Sequence, residues 1–138
     1  MSESSEQKTI VAYFRTKYPQ YAMSLRVSQS GGFRGKGREG AIRSRNVQSM
    51  GGVTGEADIA ILLPRGGFGS LLIEHKAADG RYGATPMQLS YIEYHNAQGN
   101  CAVLTRGIEA AIAAIDTYMA GDQVPGQNPR AKKSGIST

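Results

Sequence analysis

The chain has 138 residues, 40% of them hydrophobic, one cysteine and a net charge of +5, a size that suits one compact domain able to bury a core unaided by cross-links. The lone Cys101 excludes an internal disulfide framework and a cysteine zinc site, and suits a reducing compartment. No apolar run approaches the ~20 residues of a membrane span, and the opening segment lacks the basic-then-apolar order of a secretory signal, so a soluble cytoplasmic protein is expected.

Ser4 or Ser5 can cap a first helix whose apolar positions Ile10, Val11, Tyr13 and Phe14 form one face, ending near Tyr18-Pro19. A strand is expected over residues 21–27. A glycine-rich basic stretch follows, then a short helix over about 39–50, closed by Gly51-Gly52. Residues 58–63 read as a strand too apolar to have an exposed face, residues 64–69 as a turn, and residues 70–76 as the partner strand, together a hairpin at the centre of a sheet. Thr85-Pro86 carries the N-cap and the N1 proline of another helix, with Gly99 as its stop. Residues 100–105 make a short buried strand, and residues 107–119 a helix with Ile108, Ile112, Ile115 and Met119 on one stripe. Beyond Gly121 no apolar periodicity remains, and a disordered basic tail is expected over 121–138. No internal repeat is present.

Charge is concentrated rather than spread. Arg26, Arg34, Lys36, Arg38, Arg43 and Arg45 stand against the single acid Glu39, so this span carries as much net charge as the whole chain. Six cations among five glycines can follow a phosphate backbone, releasing counterions as they neutralise it; a solvated basic loop is the alternative.

The chemistry-bearing segment is Glu74-His75-Lys76, at the end of an apolar strand. Side chains alternate across a strand, so Glu74 and Lys76 share one face and His75 takes the other with Leu71 and Ile73. Asp58 opens the preceding strand as Glu74 ends the following one, and an antiparallel hairpin brings those ends together. Two carboxylates suit a hard divalent cation, Mg²⁺ or Mn²⁺, held by Asp58, Glu74 and the main-chain carbonyl of His75. Lys76 would orient an attacking water or offset charge on a phosphorus transition state. An ordinary surface ion pair is the competing reading of Glu74 and Lys76; placement against a wholly apolar strand disfavours it, because carboxylates so near a core are costly without a cationic partner.

Other polar residues have plainer readings. The His75 side chain is a packing or sheet-surface group rather than a ligand, His95 meets helix-terminal carbonyls, and Cys101 is buried filler. Glu56 is a turn residue and an outside candidate for a second metal. Tyr91 and Tyr94 belong to a core edge, with stacking on nucleic acid as the alternative.

Taken together the residues resemble a VRR-NUC (virus-type replication-repair nuclease) domain of the PD-(D/E)XK superfamily, in its small stand-alone phage or bacterial form. The resemblance rests on Glu6, Gly55-Glu56-Ala57-Asp58, Glu74-His75-Lys76, Gln88 and Gly107-Ile108-Glu109-Ala110, and runs from about residue 6 to 119. The family's proline before the aspartate is Ala57 here, and its Asn-Gly-Gly loop is Ser30-Gly31-Gly32. It implies an α/β restriction-endonuclease-like fold, a central mixed sheet flanked by helices in the order αβαββαβα, with residues 1–120 as one nuclease domain. It also implies Asp58 and Glu74 as metal ligands, Lys76 as the catalytic lysine, Glu6 reaching the metal directly or through water, and Gln88 supporting Lys76 or a phosphate.

The activity so implied is that of a Mg²⁺- or Mn²⁺-dependent endodeoxyribonuclease acting on branched DNA, Holliday junctions first, as a homodimer and without a membrane. A flap-type or less selective nuclease, and a non-catalytic nucleic-acid-binding module on the same fold, are the alternatives. The presence of Asp58, Glu74 and Lys76 together favours the enzyme.

Overall fold

The computed structural model describes residues 1–28, 45–46, 49–53, 55–81 and 83–127. Helix α1 (Glu3–Lys17) starts one residue or more before the serines expected to cap it, because Ser2 is in extended geometry and its hydroxyl accepts the Ser5 N–H at 3.1 Å. Its buried stripe is Glu6, Ile10 and Phe14, spaced four apart and therefore on one face. The expected strand over 21–27 is mostly a 3₁₀ turn, Pro19–Ser24, with strand β1 confined to Leu25–Val27. Pro19 explains the difference: its fixed φ favours winding at the first position of a helix and denies a strand its N–H donor. Of the helix expected over 39–50 most residues lie outside those described.

Strand β2 (Ile59–Ile61) pairs antiparallel with β1 and with β3 (Leu71–Lys76). Its turn closes on Gly66 and Gly67, both at positive φ, between mutually hydrogen-bonded Arg65 and Phe68. That is the two-residue geometry whose twist suits a hairpin, and side chains with a Cβ rarely adopt it. Contrary to expectation β2 is not buried on both faces: Ile59 and Ile61 are, whereas Ala60 is half-buried and Leu62 exposed. The chain then crosses through α2 (Pro86–Ala97) to β4 (Cys101–Arg106), which lies parallel to β3, and ends in α3 (Ile108–Met119). The result is a four-stranded mixed sheet in the order β1-β2-β3-β4, with the β2–β3 hairpin at its centre.

The two faces of the sheet differ in content. Ile59, Ile61, Leu71, Ile73, Cys101 and Val103 pack with Ile10 and Phe14 of α1 and Ala111, Ala114, Ile115 and Tyr118 of α3. This is the main core, and each large apolar side chain in it is worth roughly 1.5–3 kcal/mol of burial. The α3 stripe is thus turned from the one expected, with Tyr118 inward, its hydroxyl donating to the Leu63 carbonyl at 2.6 Å. On the opposite face Ala57, Leu72 and Ala102 meet Tyr91 and Ile92 beneath α2. Because α2 covers one face and α1 and α3 the other, β3 is buried on both, and the charges at its end sit in protein rather than at a wet edge.

Order reaches past the expected boundary at 120: Val124 is buried in the main core, while residues 128–138 of the expected tail lie outside those described. At the free edge of the sheet Asn96 stands in for a strand, its side-chain amide donating to the Ala102 carbonyl at 3.1 Å and accepting the Ala102 N–H at 2.8 Å. Among the described residues no helix is long and apolar enough to cross a membrane.

Candidate active site

At the carboxyl end of β3 the sheet opens into a cleft of about 310 Å³ lined by Asp58, Glu74, Lys76 and Gln88, with Glu3, Arg81 and Thr85 around them. The first four come from the loop before β2 (Asp58), the end of β3 (Glu74 and Lys76) and the first turn of α2 (Gln88). Asp58 sits just before β2, its carbonyl accepting from Ser28 N–H and its Oδ2 accepting from the His75 N–H, both at 2.9 Å. The approach to it depends on Gly55, at φ +81, where a Cβ would lie 2.6 Å from the Met87 backbone; only a glycine lets this loop pass so close to the start of α2.

Glu74 and Lys76 share the α2 face as strand alternation requires, with Lys76 Nζ 3.3 Å from Glu74 Oε1. Lys76 also donates to Gln88 Oε1 at 3.1 Å. Gln88 is held in turn by a capping box: its Oε1 accepts the Thr85 N–H at 2.8 Å while Thr85 Oγ1 accepts the Gln88 N–H at 3.2 Å. The helix cap and the lysine are thereby one hydrogen-bonded unit, and the N-terminal end of α2, with its partial positive charge, borders the cleft.

The electrostatics are unusual at Glu74. Its carboxylate is 1% exposed, and neither oxygen has a hydrogen-bond partner among the described residues, the Lys76 contact being an ion pair that falls short of hydrogen-bond geometry. Burial, reinforced by the Asp58 charge, pushes its pKa up to about 7 against the partial relief of Lys76. Asp58 is also raised, by burial first, with the His75 N–H opposing. Lys76 offsets only part of the Glu74 charge, and a buried carboxylate with neither oxygen hydrogen-bonded points to a further cation beside it. Asp58 and Glu74 therefore fit a hard divalent cation as a donor set. Among the described residues no group of three or more His, Cys, Asp or Glu side chains forms a metal cluster, so such a cation would complete its shell from main-chain oxygen and water, as Mg²⁺ commonly does. The His75 carbonyl is suitably sided: within a strand the N–H and C=O of one residue face the same neighbour, and the His75 N–H faces Asp58.

Glu6 is elsewhere. Its Oε1 meets His75 Nε2 at 2.9 Å and its Oε2 accepts the Ala78 N–H at 3.1 Å, so both oxygens are engaged on the core face and do not line the cleft. The reason is the stripe it shares with Ile10 and Phe14. The acid of α1 that does reach the cleft is Glu3, whose charge contributes to the raised values of both Asp58 and Glu74. His75, taken as a packing group, is fully buried and bridges Glu6 to Thr105. Arg106, which sequence reasoning passed over, secures the cleft wall by donating to the carbonyls of Ala77 and Gly80 at 2.9 and 3.0 Å.

Of the basic cluster, Arg26 and Arg45 are exposed; Arg34, Lys36, Arg38 and Arg43 lie outside the described residues. Register places Arg26 beside Ala60, Leu72 and Ala102 in successive strands, hence on the sheet face that carries Glu74 and Lys76. There it lines a second cleft of about 280 Å³ with Glu56, Tyr91 and His95. Glu56 accepts from the Ser28 hydroxyl at 2.7 Å and lines this second cleft rather than the first. His95 bonds the Asn100 side chain and meets the Tyr91 ring at a tilt, centroids 4.4 Å apart, and Tyr94 meets its ring edge-on.

Comparison with solved structures bears on this architecture. One described as a "VRR_NUC domain protein" superposes with a TM-score of 0.72 over 91% of this chain and 94% of that one, at 24% sequence identity. The fold is that of a VRR-NUC domain. The likeness is one of fold, since no protein-family model matches the sequence and no curated protein is significantly similar to it. Within the VRR-NUC fold, the sheet end bearing Asp58, Glu74 and Lys76 lines the first cleft, α1 and α3 cover one face of the sheet, and on the other α2 covers β3 and β4 while Arg26 and Ala60 of β1 and β2 line the second cleft.

Proposed function

We propose that the chain is a divalent-metal-dependent nuclease that hydrolyses phosphodiester bonds in DNA, with Asp58 and Glu74 as metal ligands and Lys76 as the catalytic lysine. The observation that carries this is the Glu74 carboxylate, buried without hydrogen-bond partners beside Asp58 and Lys76 in an open cleft. When bound, a Mg²⁺ or Mn²⁺ ion would supply the charge that neutralises these carboxylates and the scissile phosphate, and would make a water more acidic. Asp58 is held in place by the His75 N–H. Lys76, fixed between Glu74 and Gln88, presents its ammonium where negative charge grows on the phosphate oxygens. Gln88 positions Lys76, and the N-terminal end of α2 adds a favourable field for an anion. Glu3 replaces Glu6 in this proposal as the acid of α1 nearest the metal.

The preferred substrate is branched DNA, Holliday junctions in particular, cut by a homodimer in the cytoplasm. One chain offers one such cleft, and symmetrical cutting of two strands requires two. A gel assay comparing four-way junctions, flaps, splayed arms and linear duplex, with Mg²⁺ and with excess chelator, tests it. Paired incisions in the junction that disappear with chelator are expected. Cleavage that persists in chelator removes the metal, and a single cut confined to flaps replaces the junction reading with a flap nuclease.

The basic span supplies affinity in this reading. Neutralising Arg34, Lys36 and Arg38 together should weaken DNA binding and flatten its salt dependence by about three counterion equivalents. An unaltered slope of affinity against salt would reduce the span to a solvated loop.

A further inference from the structure

Two polar side chains occupy positions where the surrounding pattern is apolar. Glu6 continues the α1 stripe of Ile10 and Phe14, and His75 continues the core face of β3 after Leu71 and Ile73. They meet: His75 Nε2 lies 2.9 Å from Glu6 Oε1, and His75 Nδ1 lies 2.8 Å from Thr105 Oγ1 on the neighbouring strand. The remaining Glu6 oxygen takes the Ala78 N–H. All three side chains are buried. Such a chain is costly to desolvate, and apolar residues of similar volume commonly serve stability as well or better. Stability alone therefore gives no reason for it.

Its attachments do. The His75 main-chain N–H holds Asp58, Glu74 and Lys76 are its immediate neighbours in sequence, and Ala78 directly follows Ala77, which lines the cleft. Glu6 lies one helical turn after Glu3, which lines the cleft. We propose that Glu6, His75 and Thr105 form a buried positioning relay that fixes the end of β3 in the geometry needed to bind a divalent cation, and docks the first turn of α1 so that Glu3 reaches the rim. The proposal rests on the nuclease reading and deepens it. None of the three side chains lines the cleft, so they act through the groups they hold.

The test uses the full chain and a variant in which the relay is replaced whole: Glu6→Leu, His75→Leu and Thr105→Val together. Removing the three side chains together leaves only the Ala78 N–H without its acceptor, and Ala78 is exposed, so water can take that place; thermal stability close to that of the wild type is expected. Mn²⁺ affinity, read without DNA from the electron paramagnetic resonance of the free ion, should fall about 10-fold or more. With Mg²⁺ and junction DNA, kcat should fall in step while KM stays unchanged. Should the triple variant fail to fold, Thr105→Val alone, which keeps the Glu6–His75 pair, should still weaken Mn²⁺ binding. A folded variant with wild-type Mn²⁺ affinity and kcat overturns the relay and leaves the nuclease reading intact. Weakened Mn²⁺ binding in a protein that cuts no DNA would uphold the relay and overturn the nuclease.

Discussion

Asp58→Ala and Lys76→Ala are each expected to lower DNA cleavage by on the order of 10³-fold or more while leaving DNA affinity largely intact. The two act differently. Asp58→Ala deletes one of two carboxylates and leaves the His75 N–H without its acceptor; Asp58→Asn keeps an oxygen for that N–H and separates the loss of charge from the loss of structure. Lys76→Ala removes the cation that draws the Glu74 pKa down, so Glu74 should hold its proton to still higher pH. It also frees Gln88 Oε1 from its contact with the lysine without breaking the capping box of α2. Cleavage and binding are read separately, by gel and by fluorescence anisotropy on one labelled junction. If either variant cuts at a rate near that of wild type, the site assigned here is not the active one.

Glu74→Gln carries the second large effect, and it has opposite signs for stability and activity. In the folded chain the Glu74 pKa stands near 7, above its ordinary value of 4.5. The folded state therefore binds this proton more tightly than the unfolded state does, and stability falls as pH rises. The favourable contribution is complete below 4.5 and is lost as pH passes through about 7. The shift corresponds to roughly 3 kcal/mol, at ~1.36 kcal/mol per pKa unit, acting on the metal-free protein. Glu74→Gln should remove that slope, raise the melting temperature of the metal-free protein at about pH 8 relative to wild type, and abolish cleavage. Added Mg²⁺ should recover the loss in wild type and do little for the variant. Parallel melting curves for the two proteins from about pH 5 to about pH 8 would mean that the Glu74 charge is compensated by a group other than a metal.

Much of this arrangement is legible in the sequence because it follows from periodicity. Strand alternation puts Glu74 and Lys76 on a common face, and Thr85-Pro86 with Gln88 three positions on is a capping signature that the structure realises in full. The resemblance implies Glu6 as an acid near the metal, whereas helical periodicity points it elsewhere. Positions 6, 10 and 14 share a helical face, so the acid had to point with Ile10 and Phe14 into the core, while Glu3 remained available to the cleft. By the same reasoning His75, alternating with Leu71 and Ile73, had to face that core, and two isolated polar residues in one apolar layer are natural partners for each other. What periodicity could not reveal was closure in space: the turn from α1 into β1 at Pro19, the carbonyls captured by Arg106, and the inward Tyr118 all depend on which elements meet.

The Asn96 side chain, which occupies both main-chain groups of Ala102, also constrains assembly. A second copy that continued the sheet by adding its own strand alongside β4 would have to displace a buried amide from both of its bonds. Growth in that direction is capped at its centre, in the way sheet proteins guard against edge-to-edge polymerisation. Were two copies to act together on one junction, as proposed, pairing along β4 would have to break both of these bonds, so a contact elsewhere on the molecule is favoured.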